Sequence, residues 1–367
     1  MSVRQSELIV DLSSVEHNLK TLQKKLTNNS SLMPIIKANA YGLGVKKLLE
    51  IINKLNISQV AVAIVDEGIF LRELGYKGMI FILNQPFVEE IESIINYNLT
   101  PGISTNTFVE ALGEFLQEPL NIHIEIGSGM GRTGIHPNRT EEFINKIQNY
   151  KNIKIDGLYT HFSCSDCDYD YTKKQIDNFN FSIQVAKNKL GNINYIHACN
   201  SAGIVSFPEA HYSLVRPGIM IYGYLPDESL KGKIDLKPSV KLKSKIAYIK
   251  EVPKDTSIGY GRTFITNKTT KIATIPLGYA DGLPRILSNN GCVVINGNIV
   301  PIIGRVCMDS FMADITNIEN INIGDEVFIW DNSNILLEDV ANKCNTINYE
   351  ILSTISYRVP RKYVNEK

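Results

Sequence analysis

Hydrophobic and polar positions follow two different patterns along this 367-residue chain, and the change falls near residue 236. Before it, short apolar runs are separated by amphipathic segments of helical period, which predicts repeated strand–helix units around a parallel sheet. The runs are MPIIKA (33–38), VAVAIV (60–65), MIFIL (79–83), IHIEI (122–126), IKIDGLY (153–159), INYIHA (193–198) and YSLVRPG (212–218). With an eighth strand near LTPGIS (99–104), the pattern predicts an α/β fold, a TIM-like (β/α)8 barrel over residues 1–235.

The remaining residues, 236–367, are rich in β-branched positions and turn residues, which predicts a C-terminal, mostly β domain. Asn296 and Gly297, between two apolar runs, predict a tight hairpin because both tolerate positive φ. A first helix is predicted to begin at Ser13, where Glu16 follows three residues later as in a capping box. The short strand before this helix is a further candidate member of the β domain.

Composition narrows the class of partner. The 38 basic and 38 acidic residues cancel, so charge favours neither nucleic acid nor an anionic membrane as a partner. The N-terminal segment is unlike a secretory signal and no apolar run is long enough to span a bilayer, so we expect a cytoplasmic protein with a small-molecule substrate. Six scattered cysteines are expected to be reduced, and Cys164 and Cys167 predict a polar loop without a metal.

Lys37 is the first candidate for chemistry. It follows the apolar run MPII and precedes Ala-Asn-Ala-Tyr-Gly, which predicts an amine at the C-terminal mouth of the first barrel strand, where barrel enzymes hold their active sites. A partly buried lysine there can lose its proton and form an imine with an aldehyde cofactor. A solvated lysine at a strand end is the alternative.

A glycine loop follows the fourth run, in IHIEIGSGMGRTG. Gly129, Gly131 and Gly134, with Asp156 further on, match the spacing of a dinucleotide-binding fingerprint. However, several strand–helix units precede this loop and Pro137 separates it from the next helix. We favour a loop that presents Arg132 to a carboxylate or phenolate at the barrel mouth.

Two later strand ends predict a phosphate site. Asn200 and Ser201 open a helix after one strand, and Gly218 and Ile219 follow the next. Helix amides, a hydroxyl and a glycine that permits close approach suit a phosphate. These strands are the seventh and eighth of the predicted barrel, and barrels commonly bind phosphate after those two strands. The alternative is that Asn200 and Ser201 only cap the helix.

Nine segments together resemble bacterial alanine racemases, which are fold-type III pyridoxal-phosphate enzymes. They span residues 34–361 and are PIIKANAYG, SGMGRTG, THFSCSD, HACNSAG, LVRPGIMIYG, GYGRTF, GYADGLPR, GRVCMD and ISYRVPR. The resemblance implies a homodimer with active sites shared between subunits. It implies that L- and D-alanine are interconverted by two-base proton transfer, which supplies D-alanine for peptidoglycan.

The same resemblance assigns roles to single residues. Lys37 would hold pyridoxal 5′-phosphate as a Schiff base and serve one face of Cα, with Tyr260 of the partner subunit serving the other. His161 would contact that tyrosine, and Arg216 would lie behind His161 and bond the pyridine nitrogen. Further cofactor contacts match Tyr41, Asn200, Ser201, Gly218, Ile219 and Tyr357; substrate-carboxylate contacts match Arg132 and the backbone at Met308; and supporting polar positions match Asp166, Tyr279, Arg285, Arg305 and Asp309.

Glu125 and Gly127 depart from the family pattern. Many relatives carry a carbamylated lysine at the first position and an aspartate at the second. We hypothesise that Glu125 supplies the negative charge directly and pairs with Arg132. A strand residue facing solvent is the alternative.

Several other functions remain open from the sequence. A broader amino-acid racemase is the nearest, because size alone discriminates weakly against one added hydroxyl. A non-catalytic pyridoxal-phosphate carrier would resemble the barrel alone, and the motifs of the β domain disfavour it. A fold-related decarboxylase would release carbon dioxide, and a nicotinamide dehydrogenase rests only on the glycine loop.

Overall fold

The computed structural model describes residues 3–27 and 29–366 of the chain. Two compact units are present. One comprises Val15–Ala40 and Val45–Lys237, and the other comprises the segment ending at Ser14, Tyr41–Gly44 and the chain from Pro238 onward. We call them the barrel unit and the β unit.

Eight parallel strands form the sheet of the barrel unit within the described residues, in the order β2-β9-β8-β7-β6-β5-β4-β3. A parallel bridge from Ile35 to Ala61 in β3 joins the first strand to the other edge and brings the sheet close to a closed ring. The strands are β2 Ser31–Leu32, β3 Gln59–Val62, β4 Met79–Ile82, β5 Thr100–Ile103, β6 Leu120–Glu125, β7 Ile153–Tyr159, β8 Tyr195–His197 and β9 Leu214–Val215. The predicted (β/α)8 barrel, including the strand near 99–104, is confirmed.

Helices alternate with these strands. They are Leu12–Lys24, Val45–Lys54, Val65–Glu73, Ile91–Asn96, Asn106–Phe115, Thr140–Gln148, Tyr169–Leu190 and Ser201–Ser206. The capping box predicted for the first helix is wrong. Asp11 caps it instead, because its carboxylate accepts from the amides of Ser13 (2.9 Å) and Ser14 (3.2 Å), whereas Glu16 pairs with Lys20 and Lys54.

The β unit contains a larger sheet, whose strand order is β11-β14-β17-β16-β15-β18-β10-β1-β19 within the described residues. The chain's first strand, β1 Glu7–Asp11, pairs antiparallel with β10 and parallel with β19. The other strands of this unit are β10 Val240–Lys245, β11 Tyr248–Val252, β12 Ser257–Ile258, β13 Phe264–Ile265, β14 Thr270–Ile275, β15 Cys292–Ile295, β16 Asn298–Ile303, β17 Phe311–Asp314, β18 Glu326–Trp330 and β19 Arg361–Val364. Asn296 (φ 46°) and Gly297 (φ 79°) form the predicted hairpin turn between β15 and β16.

Two short helices, Leu337–Lys343 and Asn348–Ser353, interrupt the β pattern of this unit. The sequence pattern did not predict these helices. Their apolar positions Leu337, Val340, Ile351 and Leu352 are buried, so packing stabilises helices too short to persist alone. Among all described helices, none is both long and apolar enough to cross a bilayer.

Aromatic and imidazole rings fill part of the barrel interior, where aliphatic side chains would be expected. Phe81 stacks on His123 with ring centroids 4.8 Å apart, and Tyr159 stacks on His197 at 5.2 Å. Gly157 leaves room for these rings, because a Cβ there would lie 2.7 Å from the His123 ring. A polar cluster is thereby built directly beneath the C-terminal mouth of the barrel.

Candidate active site

Lys37 lies half-buried at the C-terminal end of the first barrel strand. The bridge between Ile35 and Ala61, and a 2.9 Å bond from the Ile36 amide to the Ala61 carbonyl, hold the strand just before it. Barrel enzymes carry reactive groups at this end of the strands. The structure therefore puts the Lys37 amine where the sequence predicted it.

A left-handed turn follows Lys37 at once. Residues 38–41 all have φ between 52° and 56°, although none is glycine. For an L-residue this region costs about 1–2 kcal/mol, so the turn needs support from its surroundings. The Ala38 amide donates to Glu67 Oε1 (2.5 Å), and Asn39 Oδ1 accepts from the amide of Val45 (2.9 Å).

The charge state of Lys37 is perturbed by its surroundings. Burial, and secondly the positive charge of Arg132, lower the pKa of Lys37 below its usual value, while Glu67 acts in the opposite direction. A lower pKa leaves more of the amine unprotonated near neutral pH. Only the unprotonated amine can attack a carbonyl to form an imine.

Arg216 is buried beneath the mouth with no carboxylate partner among the described residues. Its Nη2 donates to the carbonyls of Thr160 (2.6 Å) and Ala198 (3.0 Å), and its Nη1 contacts His197 Nδ1 at 2.7 Å. Nη2 also lies 3.3 Å from His161 Nδ1. Burial lowers the pKa of Arg216 to about 10. Among the described residues its buried Nε has no hydrogen-bond partner.

This guanidinium determines which nitrogens of the nearby histidines carry protons. Because a guanidinium only donates, His197 must accept at Nδ1 and hold its proton on Nε2, and the longer contact from Nη2 favours the same tautomer of His161. His197 Nε2 then donates to His123 Nδ1, 2.9 Å away. Burial first, and Arg216 next, hold the pKa of His161 and His197 well below the usual range, so both are neutral near pH 7.

Glu125 is buried, so it does not face solvent. Its Oε1 accepts from the Thr133 hydroxyl (2.8 Å) and its Oε2 lies 3.1 Å from the Tyr159 hydroxyl. Among the described residues no ion pair joins Glu125 to the exposed Arg132, so the direct contact that we hypothesised is not formed. Thr133, the residue after Arg132, takes that place.

The same carboxyl group is perturbed by its burial, which raises the pKa of Glu125 against the opposing effect of its hydrogen bonds. The Tyr159 hydroxyl lies within 3.1 Å of both Glu125 Oε2 and the Leu83 carbonyl, yet has one proton to donate. A protonated Glu125 would donate to the Tyr159 oxygen and leave the tyrosine proton for Leu83. The hydrogen-bond pattern therefore agrees with the direction of the pKa shift.

The predicted phosphate-site residues meet between β8 and β9. Ser201 Oγ accepts from the amide of Gly218 (2.9 Å), which joins the loops that follow the two strands. Asn200 Oδ1 caps the helix Ser201–Ser206 and also accepts from Ser165 (2.7 Å). Asn200 therefore does cap the helix, as the alternative interpretation held. Ile219 begins a buried 3-10 turn just after Gly218, and Asp166 lies on the loop after His161.

The remaining candidates lie in the β unit, and several of them are exposed on its surface. Tyr260 is 71% exposed, Tyr357 is 93% exposed, and Met308 and Tyr279 are each about half exposed. Tyr41, in contrast, is buried with its ring 6.0 Å from that of Tyr349. Tyr260, Tyr357, Met308 and Tyr279 thus place aromatic, hydroxyl and thioether groups on the surface of the unit.

Backbone and ion-pair contacts organise this surface. The amides of Tyr279 and Ala280 donate to the carbonyls of Cys307 and Met308 at 3.0 Å each, which joins the loops that carry Tyr279 and Met308. Asp309 pairs with Arg358 at 2.6 Å, next to Tyr357. The Arg305 guanidinium lies beside Gly261, the residue after Tyr260, and Arg285 and Tyr279 line a cavity of about 410 Å³.

Sequence reasoning missed several residues that hold the site. The side chains of Tyr159 and Thr133 contact Glu125, and that of Glu67 contacts the amide of Ala38, the residue after Lys37. His123 and His197 had a visible signal, since each is a polar residue next to isoleucine within a predicted strand. Such a residue is buried only if a partner satisfies it.

The fold and this arrangement define a lysine-centred barrel protein with a second, β-rich unit. Residues 10–226 match the family model described as alanine racemase, N-terminal domain, and residues 239–363 match the model described as alanine racemase, C-terminal domain. The chain therefore belongs to the alanine racemase family.

Relatives agree over nearly the full length. An alanine racemase of Halothermothrix orenii is 41% identical, covering 97% of this chain and 96% of its own length. One of Carboxydothermus hydrogenoformans is 42% identical, covering 97% and 98%. The crystal structure of alanine racemase from Bacillus anthracis with bound L-Ala-P is 29% identical, covers 100% of this chain and 96% of that one, and has a TM-score of 0.94.

Proposed function

We propose that the protein interconverts L-alanine and D-alanine with pyridoxal 5′-phosphate held at Lys37. The observation that carries this proposal is the buried Nε of Arg216, a donor without a partner among the described residues, at the mouth of the barrel that also holds Lys37. A pyridine nitrogen is an acceptor that would satisfy it. The family and the crystal structure of a relative with L-Ala-P support alanine as the substrate.

The residues around this position suit the cofactor. Lys37 supplies the amine for the aldehyde, and Ser201, Gly218 and Ile219 lie where a phosphate would be bound. We also propose contacts from Tyr41, His161, Asn200 and Tyr357. When bound, pyridoxal phosphate stabilises the electron pair that remains when the substrate Cα loses its proton.

Arg216 would limit how strongly the cofactor ring withdraws the electron pair left at Cα. A guanidinium donates and does not give up its proton, so a ring nitrogen bonded to Nε stays unprotonated. The weaker withdrawal favours return of the proton to Cα over competing reactions such as transamination. Four acceptors around Arg216 keep the guanidinium charged without a carboxylate.

Two bases are needed to move the proton from one face of Cα to the other. We infer that Lys37 Nζ takes or returns it on one face and that Tyr260 of the partner subunit does so on the opposite face. Neutral His161, with its proton on Nε2, would donate to that phenolic oxygen. The high exposure of Tyr260 on its own unit supports a role outside that unit.

The substrate carboxylate would be bound by Arg132 and the Met308 backbone. Tyr41 and Tyr357 would leave room for a methyl group and crowd longer side chains. Asp166, Tyr279, Arg285, Arg305 and Asp309 are proposed to support the entrance to the site. Turnover of L-serine, L-lysine and L-arginine beside L-alanine decides between this specificity and a broader racemase.

We propose a cytoplasmic homodimer that supplies D-alanine for peptidoglycan. The dimer follows from the two-base arrangement, because Tyr260 of the partner subunit completes each site. Sedimentation equilibrium of the purified protein tests it. A monomer with full activity would contradict the shared site.

Conversion of L-alanine to D-alanine by wild type, Lys37→Ala and Tyr260→Phe tests the catalytic assignment. Each variant is expected to lose at least about 100-fold in turnover, since each removes one base. Lys54→Ala and Tyr248→Phe, both at exposed positions, are the matched controls and should retain wild-type rates. Full activity of Lys37→Ala would refute the proposed function.

A further inference from the structure

The carboxylate of Glu67 joins two segments of the barrel mouth. Glu67 is the third residue of the helix Val65–Glu73, which follows β3. Its Oε2 accepts from the amides of Ala63 (2.8 Å) and Ile64 (3.4 Å), so it caps its own helix. Its Oε1 accepts from the amide of Ala38 (2.5 Å), the residue directly after Lys37.

The Ala38 amide needs this partner because of the turn in which it lies. This amide and the Lys37 carbonyl share one peptide group, so its orientation determines the direction in which Lys37 leaves the strand. The left-handed backbone that starts at Ala38 is unfavourable for an L-residue and persists only where surrounding contacts hold it. A charged acceptor gives one of the stronger hydrogen bonds available for that purpose.

We propose that Glu67 is a positioning residue that holds the left-handed turn and thereby aims the Lys37 amine at the cofactor aldehyde. The proposal rests on the proposed role of Lys37 as the cofactor lysine. Glu67 has no direct part in proton transfer.

Glu67 also contributes the negative charge that acts on Lys37. The other charged group that acts on the amine is Arg132, from the loop after β6. Neutral His161 faces the amine from the network beneath the mouth. Burial and Arg132 lower the pKa of Lys37, and Glu67 opposes them. Removing the Glu67 charge should lower that pKa further.

Glu90 offers a matched control in the next strand–helix unit. It is likewise the third residue of its helical turn, and its Oε2 accepts from the amide of Phe87 at 2.7 Å. The structure describes no bond from Glu90 to another segment of the mouth. Glu67→Gln and Glu90→Gln therefore both weaken a cap, whereas only Glu67→Gln affects the Ala38 amide.

The experiment compares wild type, Glu67→Gln, Glu67→Asp and Glu90→Gln as full-length proteins. Equilibrium dialysis measures pyridoxal-phosphate affinity. In the protein freed of cofactor, the pH dependence of Lys37 acetylation, followed by mass spectrometry, measures titration of the amine. Thermal unfolding of each variant measures the contribution of the cap alone.

Glu67→Gln is expected to weaken cofactor binding about tenfold or more, and to move the acetylation midpoint of Lys37 to lower pH. Glu90→Gln should leave the cofactor affinity within about twofold of wild type and the acetylation midpoint unchanged. Its loss of thermal stability should be similar to that of Glu67→Gln. Glu67→Asp keeps the charge but is too short to reach both segments, so it should weaken cofactor binding with a smaller shift of the midpoint. Glu67→Asp also provides the test of the positioning role if Glu67→Gln fails to fold.

Equal cofactor affinity and equal acetylation midpoints for Glu67→Gln and Glu90→Gln would overturn the positioning role. That outcome is distinct from failure of the proposed function. If Lys37→Ala still racemises alanine, the role of Lys37 is wrong. If Lys37→Ala loses racemase activity while Glu67→Gln behaves like Glu90→Gln, the catalytic assignment stands. Only the inference about Glu67 is then rejected.

Discussion

We predict that the protein loses stability at low pH because of His123, a side chain in the barrel interior. This side chain is fully buried, accepts a hydrogen bond at Nδ1 from His197 Nε2, and among the described residues has no partner at Nε2. Protonating it would put two donors face to face. Burial, with Arg216 as a second cause, lowers the pKa of His123 from 6.5 to about 3.

The magnitude follows from linkage between proton binding and folding. The unfolded chain binds a proton at His123 below about pH 6.5, whereas the folded protein resists it until about pH 3. Stability is therefore lost as the pH falls through this window, by about 1.4 kcal/mol for each pH unit. Over the whole window of about 3.5 units the loss is about 5 kcal/mol.

His123→Asn removes this titration and keeps an acceptor for His197. The smaller side chain leaves a void, so the variant should be about 2 kcal/mol less stable than wild type at pH 7. Because the variant lacks the proton-linked loss, that deficit should disappear near pH 5 and reverse below it. Urea denaturation at several values between about pH 7 and pH 4.5 measures both effects.

Phe81→Leu is the control, since Phe81 stacks on His123 and does not titrate. It should lower stability by a similar amount with the pH dependence of wild type. If His123→Asn keeps the wild-type slope between pH 6.5 and 4.5, the reasoning about His123 is refuted.

Three further predictions concern buried groups. Burial raises the pKa of Glu125, so its contribution to stability is present below about pH 4.5 and is lost as the pH rises through the folded value. Glu125→Gln should therefore gain stability relative to wild type in urea denaturation as the pH rises above about 4.5, and parallel curves would contradict this. Gly102→Ala would place a methyl group on the buried hydroxyl of Tyr159 and should cost about 1–3 kcal/mol by calorimetry, whereas an unchanged melting temperature would show that the strand can shift. Asp281 is buried and pairs with Arg4 at 2.7 Å, so Asp281→Ala should cost about 3 kcal/mol in the same assay, and a neutral result would mean that solvent replaces the pair.

Local pattern was sufficient for much of the fold. Apolar runs of strand length separated by helical periodicity predicted the barrel strands, because a strand buried on both faces is mostly apolar. The Asn296–Gly297 turn was predictable for a similar reason, since few residue pairs accept positive φ at both positions. The glycine loop after β6 was also separable from a dinucleotide fingerprint, because a 3-10 turn from Pro137 to Arg139 stands between it and its helix.

Choices between competing polar partners were not predictable. The sequence pattern placed the start of the first helix at Ser13, but Asp11, two residues earlier, caps it. The pattern also paired Glu125 with Arg132, but the parallel pairing of β6 with β7 places Tyr159 beside that carboxyl group. For the cap, two suitable side chains lie two residues apart, and for Glu125 the partner comes from another strand, so local sequence decides neither.

The sequence by itself determined the family, the two-part architecture and the candidate chemistry at Lys37, because those depend on residue types in order along the chain. Only the tertiary structure decided the state of those residues. The left-handed turn after Lys37, the bond from Ala38 to Glu67 and the tautomers set by Arg216 all depend on which strand ends meet at the mouth. Their physical reason is burial, which makes each polar group depend on a partner that only the closed barrel brings within hydrogen-bond distance.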